Sequence, residues 1–445
     1  MGEEVAAERI REPARETPVL TRCDVLVVGG GSAGSAAAIA AARQGARVVL
    51  AERYGSLGGL ATGGLIALLL TLDDGLGHPV IGGLCEELTR RMRALGGAFH
   101  PPREEWGDDA PERIDRYRQW GLVWGGSGAH HRVRYSVAYD PEVMRLVLNQ
   151  LVVEAGVDLI FHLWGADALV RDGRLAGVAF QSKAGRRAVL ADVVIDASGD
   201  GDVFASAGCG FALERVYPWL WFRVGGVADP QRVLDEGAPF FRTPNPGQML
   251  FPWGSVASLK RKIDATDPRD LSFAEIECRR LVMEEFERQK ASRPELADAH
   301  LCNIASQLGI TESRRLEGRY VLRLEDRGRP FDDAIAITGH WTKYGAVYAI
   351  PYRSLQAREL PNLLAAGRDI SVDHPTHNAT KEIPPCIATG EAAGIAAALA
   401  CDARVDPSEV DVARLRERLR AAGAIVDYDF ERGAEASVPL SRGGD

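Results

Sequence analysis

The sequence predicts an α/β fold built around a mostly parallel sheet, and three observations predict it. Asp24–Val28 and Arg47–Ala51 are short, continuous apolar runs, fit for strands buried on both faces. Between them, Ser32–Gln44 is rich in Ala and helical in pattern. Apolar runs of the same kind recur far along the chain, at Asp192–Asp196 and Leu363–Ala366. A strand–helix–strand unit of this type requires a right-handed crossover between parallel strands.

The other elements follow in order. Residues 1–22 read as a loose leader, and Gly55–Gly64 as a Gly-rich loop. Gly83–Leu95 has the pattern of an amphipathic helix, while 99–138 is irregular and rich in Trp, Gly and Arg. Asp140 and Pro141 are an N-cap and first helical residue, opening a helix to Ala155. From Val157 to Leu190 short strands alternate with turns at Arg171-Asp172-Gly173 and Ala184-Gly185, which predicts an antiparallel meander. Residues 210–350 are more polar and aromatic, with a long helix near Ser272–Lys290, and are expected to form an inserted α+β domain. Leu363–Ala366 ends at Gly367, Pro384–Ala400 is a helix of small residues, and a surface helix and coil follow from about 402. The expected division is therefore 22–209 and 351–401 for the sheet domain, 210–350 for the insertion and 402–445 for a tail.

At 445 residues the chain exceeds one ordinary core, so two interleaved domains are expected. The net charge of −9 argues against general affinity for nucleic acid or anionic membranes. The seven Cys residues show no C-x-x-C spacing, which predicts free thiols in a reducing compartment and no metal site. The charged N-terminus lacks the apolar stretch of a signal peptide, and no apolar run reaches membrane-spanning length. A cytoplasmic location is the expectation.

The first strand runs directly into Gly29-Gly30-Gly31-Ser32-Ala33-Gly34, and a helix follows. This is G-x-G-x-x-G in its required setting. Gly29 permits the tight turn, Gly31 lets a pyrophosphate approach the backbone, and Gly34 lets helix and strand pack closely. Glu52 ends the second strand, where an acid accepts hydrogen bonds from a ribose. The unit predicts a Rossmann-like dinucleotide site. The long loop Arg53–Thr62 suits FAD better than NAD, because a nicotinamide fold would continue quickly into its next crossover.

The segments DVLVVGGGSAGSAAAIAAARQGARVVLAERYGSLGGLAT, ADVVIDASGDGDV, TESRRLEGRY and LPNLLAAGRDIS, followed by PPCIATGEAAGIAAALA, resemble the FAD-dependent oxidoreductase family of the glutathione-reductase-like flavoprotein superfamily. The resemblance covers about residues 22–401. It implies that Gly29, Gly31, Gly34 and Glu52 hold the ADP half of FAD. It also implies that Gly59, Asp200, Gly367 and Asp369 lie along the cofactor, Asp369 accepting bonds from its hydroxyls. Thr389 and Gly390 would carry a helix N-terminus toward the flavin ring, where it would stabilise charge at the N1–C2=O edge.

Candidates for the chemistry lie late in the chain. Arg314 and Arg315 sit in a family motif; a guanidinium there would bind a substrate carboxylate, or pair with Glu312, Glu317 or Glu325. His374 and His377 follow the Gly–Asp element, where the family often has one His; either could relay a proton, with His377 slightly favoured because His374 could pair with Asp373. His340–Tyr344 is the reserve candidate. No second G-x-G-x-x-G follows a strand, so NAD(P)H is not expected to have a fold of its own. The expected function is hydride transfer between a small organic substrate and the flavin, which oxygen or a carrier reoxidises. The alternatives are a flavin monooxygenase needing an external reductant and a flavin-binding RNA-modification subunit or scaffold.

Overall fold

A computed structural model describes residues 10–124, 131–252 and 259–434. Strand β1 (Val19–Val28), helix α1 (Ser32–Arg43) and strand β2 (Val48–Glu52) form the expected parallel crossover, with Val25–Val28 in register with Val48–Ala51. Every residue of β2 is buried, as a strand covered on both faces must be. Strands β3 (Asp158–Phe161), β4 (Trp164–Arg171), β5 (Arg174–Ser182) and β6 (Gly185–Asp196), with the late β7 (Leu363–Ala365), complete a seven-stranded sheet. Its order is β3-β2-β1-β6-β5-β4, and β7 pairs with β6.

Two details differ from the reading of the sequence. The meander is only β4–β5–β6, turning at Asp172 and Gly173, both at positive φ as a tight hairpin requires. Asp158–Phe161 belongs instead to the parallel edge, beside β2. The run Asp192–Asp196 is not a separate strand either. It is the end of β6, whose first half pairs antiparallel with β5 and whose last three residues pair parallel with β7.

Helix α2 (Gly83–Ala94) and helix α3 (Pro141–Glu154) pack together beside α1, and Asp140 caps α3 by accepting the Glu142 N–H. Among residues 210–350, α4 (Pro268–Ser292) starts four residues before the predicted Ser272, because Asp267-Pro268 supplies cap and first residue. It packs on a sheet ordered Phe241–Arg242, Met249–Phe251, Phe222–Gly225, His300–Ile304. A second hydrophobic cluster forms there around Trp219, Phe222, Phe251 and Phe286, joined by Leu68, Tyr117 and Val133 from earlier in the chain.

Helix α5 (His374–Thr380) leads into α6 (Ile383–Ala403), which lies across α1. A Cβ on Gly390 would collide with the Ala33 backbone, and one on Gly394 with that of Ala37. The small residues of α6 are what lets these helices cross so closely. By length and composition α6 could span a membrane, with mean hydropathy 1.3, although no unbroken apolar run in the sequence is that long. That window is 94% buried within the protein, as in a core helix. The tail helix Val412–Ala421 is not wholly on the surface: Leu415 and Leu419, one turn apart, are fully buried. Beyond it, the Gly423 carbonyl accepts the Gly83 N–H and Tyr428 donates to Asp74.

Candidate active site

A cavity of about 1130 Å³ extends from the Gly-rich turn after β1 into the second hydrophobic cluster. Single-ligand pockets hold ~300–1,000 Å³, so this one has room for a dinucleotide and more. Gly29, Gly31, Glu52, Gly58 and Gly59 stand on its wall. Gly29 turns the chain at φ +102. A Cβ on Gly31 would meet only the Gly59 Cα, at 4.0 Å, so nothing but the absence of a side chain keeps that part of the wall clear. Gly34 is different: a Cβ there would collide with the Gly29 carbonyl, so its function is close packing.

Helix α1 begins at this wall with no side-chain cap and no acid in its first turn. Its free N–H groups and partial positive charge suit a pyrophosphate. The Glu52 carboxylate accepts the backbone N–H groups of Gly30 and Tyr54, at 2.5 and 2.7 Å. Burial pushes its pKa up, opposed by those two amide bonds. An uncapped helix start, an open glycine and an acid at the strand end together fit the pyrophosphate and ribose of FAD.

Asp200 is also on the wall, accepting from Ser313 Oγ at 2.7 Å and Arg368 at 2.8 Å. Burial alone would raise its pKa; the Arg368 and Arg53 charges bring it below the ordinary carboxylate range. Gly367 reaches the wall, but Asp369 does not. Its side chain is fully buried, and neither carboxyl oxygen has a hydrogen-bond partner among the described residues. Burial, then the nearby Asp196 charge, holds its pKa well above the usual value. Arg368, one residue earlier, takes the place on the wall expected of Asp369.

The expected placement of Thr389 and Gly390 also changes. Thr389 Oγ1 accepts the Gly367 N–H at 3.2 Å and donates to the Pro385 carbonyl at 3.0 Å, while Gly390 lies against α1. Both residues therefore brace α6. Thr389 stands six residues into the helix, about 9 Å from its start. The residues that reach the wall are Ile383 and Cys386, with Lys381 and Glu382 just before the helix.

Arg314 lines the cavity but is already engaged, donating to the Asp200 carbonyl and to Asp202, each at 3.1 Å. Arg315 is buried off the wall, ion-paired with Glu312 and donating to the Val372 carbonyl at 3.0 Å. A carboxylate clamp formed by both arginines is thus not assembled. The two histidines divide. His374 is on the wall, with Nδ1 3.0 Å from Glu312 and a side chain 56% exposed. Asp373 caps α5 through the Thr376 N–H, so it is not His374's partner. His377 is 1% exposed and off the wall, its Nε2–H donating to the Arg368 carbonyl at 2.7 Å. His340 is also buried off the wall, and burial followed by the Lys343 charge pushes its pKa down to about 3. Of that segment, Trp341 lines the cavity.

Glu214, Glu312 and His374 bring three ligand atoms within 4.8 Å of one another. Arg315 already pairs with Glu312, and Lys262 lies 3.8 Å from Glu214, so both carboxylates face a cation. The cluster reads as a set of ion pairs joined by the His374–Glu312 hydrogen bond. At its far end the cavity is lined by Trp124, Trp219, Trp221 and Trp341 with Leu308 and Ile310. Apart from Trp341, which belongs to the reserve segment His340–Tyr344, the sequence does not mark these as candidates. The signal was Trp219-Leu220-Trp221, whose alternation puts both indoles on one face of an extended segment, ring centres 5.4 Å apart.

Residues 24–419 match the model of a family described as FAD dependent oxidoreductase. Among solved structures, the chain is similar to an aromatic hydroxylase from angucycline biosynthesis, at 14% identity over 90% of this chain and 68% of that one, TM-score 0.50. It is also similar to p-nitrophenol 4-monooxygenase from Pseudomonas putida DLL-E4 (14% identity, 89% and 83% covered, TM-score 0.48). A third is a geranylgeranyl bacteriochlorophyll reductase-like protein from Thermoplasma acidophilum (15% identity, 93% and 90% covered, TM-score 0.47). At 14% identity the likeness to the aromatic hydroxylase shows a shared fold and nothing more. The family match spans both the cradle at Gly31 and Glu52 and the return through α6. The chain is an enzyme that uses FAD, and it belongs to the FAD-dependent oxidoreductase family.

Proposed function

We propose that the enzyme transfers a hydride between FAD and a small organic substrate with an apolar body, with oxygen or a carrier completing the cycle. The observation that carries this reading is the continuity of one cavity, from the Gly31–Glu52 cradle to a lobe walled by four tryptophans. When bound, FAD supplies a two-electron acceptor and donor. Gly31 and the α1 N-terminus would hold its pyrophosphate, and Glu52 its ribose. The tryptophan lobe would seat the substrate and exclude water.

A substrate losing a hydride from carbon must also lose a proton from the adjoining O–H or N–H. His374 is the wall residue suited to take that proton. Burial lowers its pKa, so near neutral pH it is unprotonated and able to accept. The absence of a second G-x-G-x-x-G in the sequence supports an organic substrate, rather than a nicotinamide, as the flavin's partner. The test is anaerobic mixing of the purified holoenzyme with a panel of apolar alcohols, amines and acids. The expected result is bleaching of the flavin by one class and recovery of colour in air. Fast, stoichiometric bleaching by NADH or NADPH alone would overturn the reading in favour of a monooxygenase with an external reductant.

A further inference from the structure

A buried carboxylate stands behind His374. The two oxygens of Glu312 lie 3.1 and 3.0 Å from His374 Nδ1, and Glu312 itself is 5% exposed. Arg315 pairs with the same carboxylate, and His377 Nδ1 lies 3.6 Å from it. An ionised carboxylate only accepts hydrogen bonds, so an imidazole nitrogen at this distance must carry a proton. His374 in its neutral form is therefore the Nδ1–H tautomer, and Nε2 is its basic nitrogen. The Arg315 guanidinium pairs with this buried carboxylate, and an adjacent opposite charge favours the ionised form of a carboxyl.

We infer that Glu312 is a positioning residue for the proton transfer: it fixes the tautomer and orientation of His374 and stabilises the imidazolium formed when Nε2 takes the substrate's proton. This rests on the reading of His374 as the proton acceptor. The reaction is balanced without further partners. The substrate's O–H or N–H bond breaks and its proton goes to Nε2, while the hydride leaves carbon for FAD. The other charged groups around His374 are Glu214, 3.9 Å from Nδ1, and Lys262, Lys381 and Arg315 at longer range. Glu214, 3.8 Å from Lys262, favours the protonated ring, while Arg315, Lys262 and Lys381 oppose it.

The test uses FAD-loaded holoenzyme and follows anaerobic flavin reduction against pH. His374→Ala should lose ~10²–10⁴-fold in rate together with the limb that reports the histidine. Glu312→Gln should lose ~10–10³-fold and move that limb to lower pH, because the charge favouring the imidazolium is gone. Glu312→Asp should restore the limb toward its wild-type position. An unaffected His374→Ala enzyme would overturn the role given to His374. An impaired His374→Ala beside an unaffected Glu312→Gln would overturn the inference about Glu312 alone. Nuclear magnetic resonance of isotope-labelled histidine in the wild-type holoenzyme, assigned with His374→Ala, needs no folded Glu312 variant. A proton on Nδ1 is expected, and one on Nε2 in the neutral state would overturn the inference.

Discussion

Arg134 donates to the main-chain carbonyl of Trp341 at 2.9 Å, and so ties a wall of the cavity to a buried ion pair. The same guanidinium donates to the His340 carbonyl at 2.9 Å and to Asp73 at 3.1 Å, and both charged side chains are almost wholly buried. Asp73 also accepts the Tyr135 and Gly75 N–H groups. Arg134→Met should cost ~3–5 kcal/mol, since it strands a buried carboxylate. The double variant with Asp73→Asn should recover part of that loss. Urea unfolding measures both, and a single variant as stable as wild type would show that the pair is not holding this wall.

Two glycines of one motif should fail in different ways. Gly31→Val leaves the backbone in an extended conformation that valine tolerates, and its Cβ finds open space. The variant should fold normally by circular dichroism yet purify without FAD. Gly34→Ala has no such room, so it should lose ~1–3 kcal/mol or more through overpacking and fold poorly with or without FAD. Full FAD content in Gly31→Val would place the phosphates elsewhere.

Glu391 predicts a loss of stability as pH rises toward neutral. It is 3% exposed on α6 and accepts the Leu84 N–H at the start of α2. Burial pushes its pKa up from 4.5 to about 7. The folded state therefore binds a proton that the unfolded state releases, and stability falls as pH rises from 4.5 to 7. Glu391→Gln keeps an acceptor for Leu84 and removes the charge. It should raise the melting temperature at pH 8, with a gain of up to ~3 kcal/mol, and leave it nearly unchanged at pH 4. Equal pH dependence in the two proteins would mean that Glu391 is not the group responsible.

What the sequence shows well is what neighbours along the chain decide. The crossover through Gly29, Gly31, Gly34 and Glu52 is written in spacing over some thirty residues, and it folds as read. Asp158–Phe161 is misplaced because its partner β2 lies far away in the chain, and a four-residue run shows no choice between parallel edge and meander. The site is harder for the same reason. Arg368 and Asp369 are adjacent, and which one reaches the cavity depends on how the chain leaves β7 against Asp196 and Leu316. Thr389 and Gly390 read as a ligand-facing helix start; their contacts with Gly367 and Ala33, invisible in sequence, make them packing residues. His374 and His377 lie three apart on α5, so their helical position barely separates them. What separates them is the Arg368 carbonyl that covers His377 and the cavity that leaves His374 open.

That separation makes the last prediction. His377 should matter for stability and not for the chemical step. Its Nε2–H satisfies the Arg368 carbonyl, and its ring is 1% exposed. Truncation to Ala leaves a void and an unpaired carbonyl, which should cost ~2–5 kcal/mol. The FAD-loaded variant should still reduce its flavin at nearly the wild-type rate. Burial first, then the Lys381 charge, holds the His377 pKa well below its ordinary 6.5, so the folded state keeps the ring neutral. The unfolded chain binds a proton near pH 6.5 that the folded one refuses, so the stability this ring contributes is present above that pH and is lost as pH falls. His377→Gln retains a donor for the carbonyl and cannot take that proton. It should be less stable than wild type at pH 8 and lose less stability on acidification to pH 5. A loaded His377→Ala enzyme slowed as much as His374→Ala and lacking the same pH limb would return the proton transfer to His377, because no loss of packing alone would remove that limb.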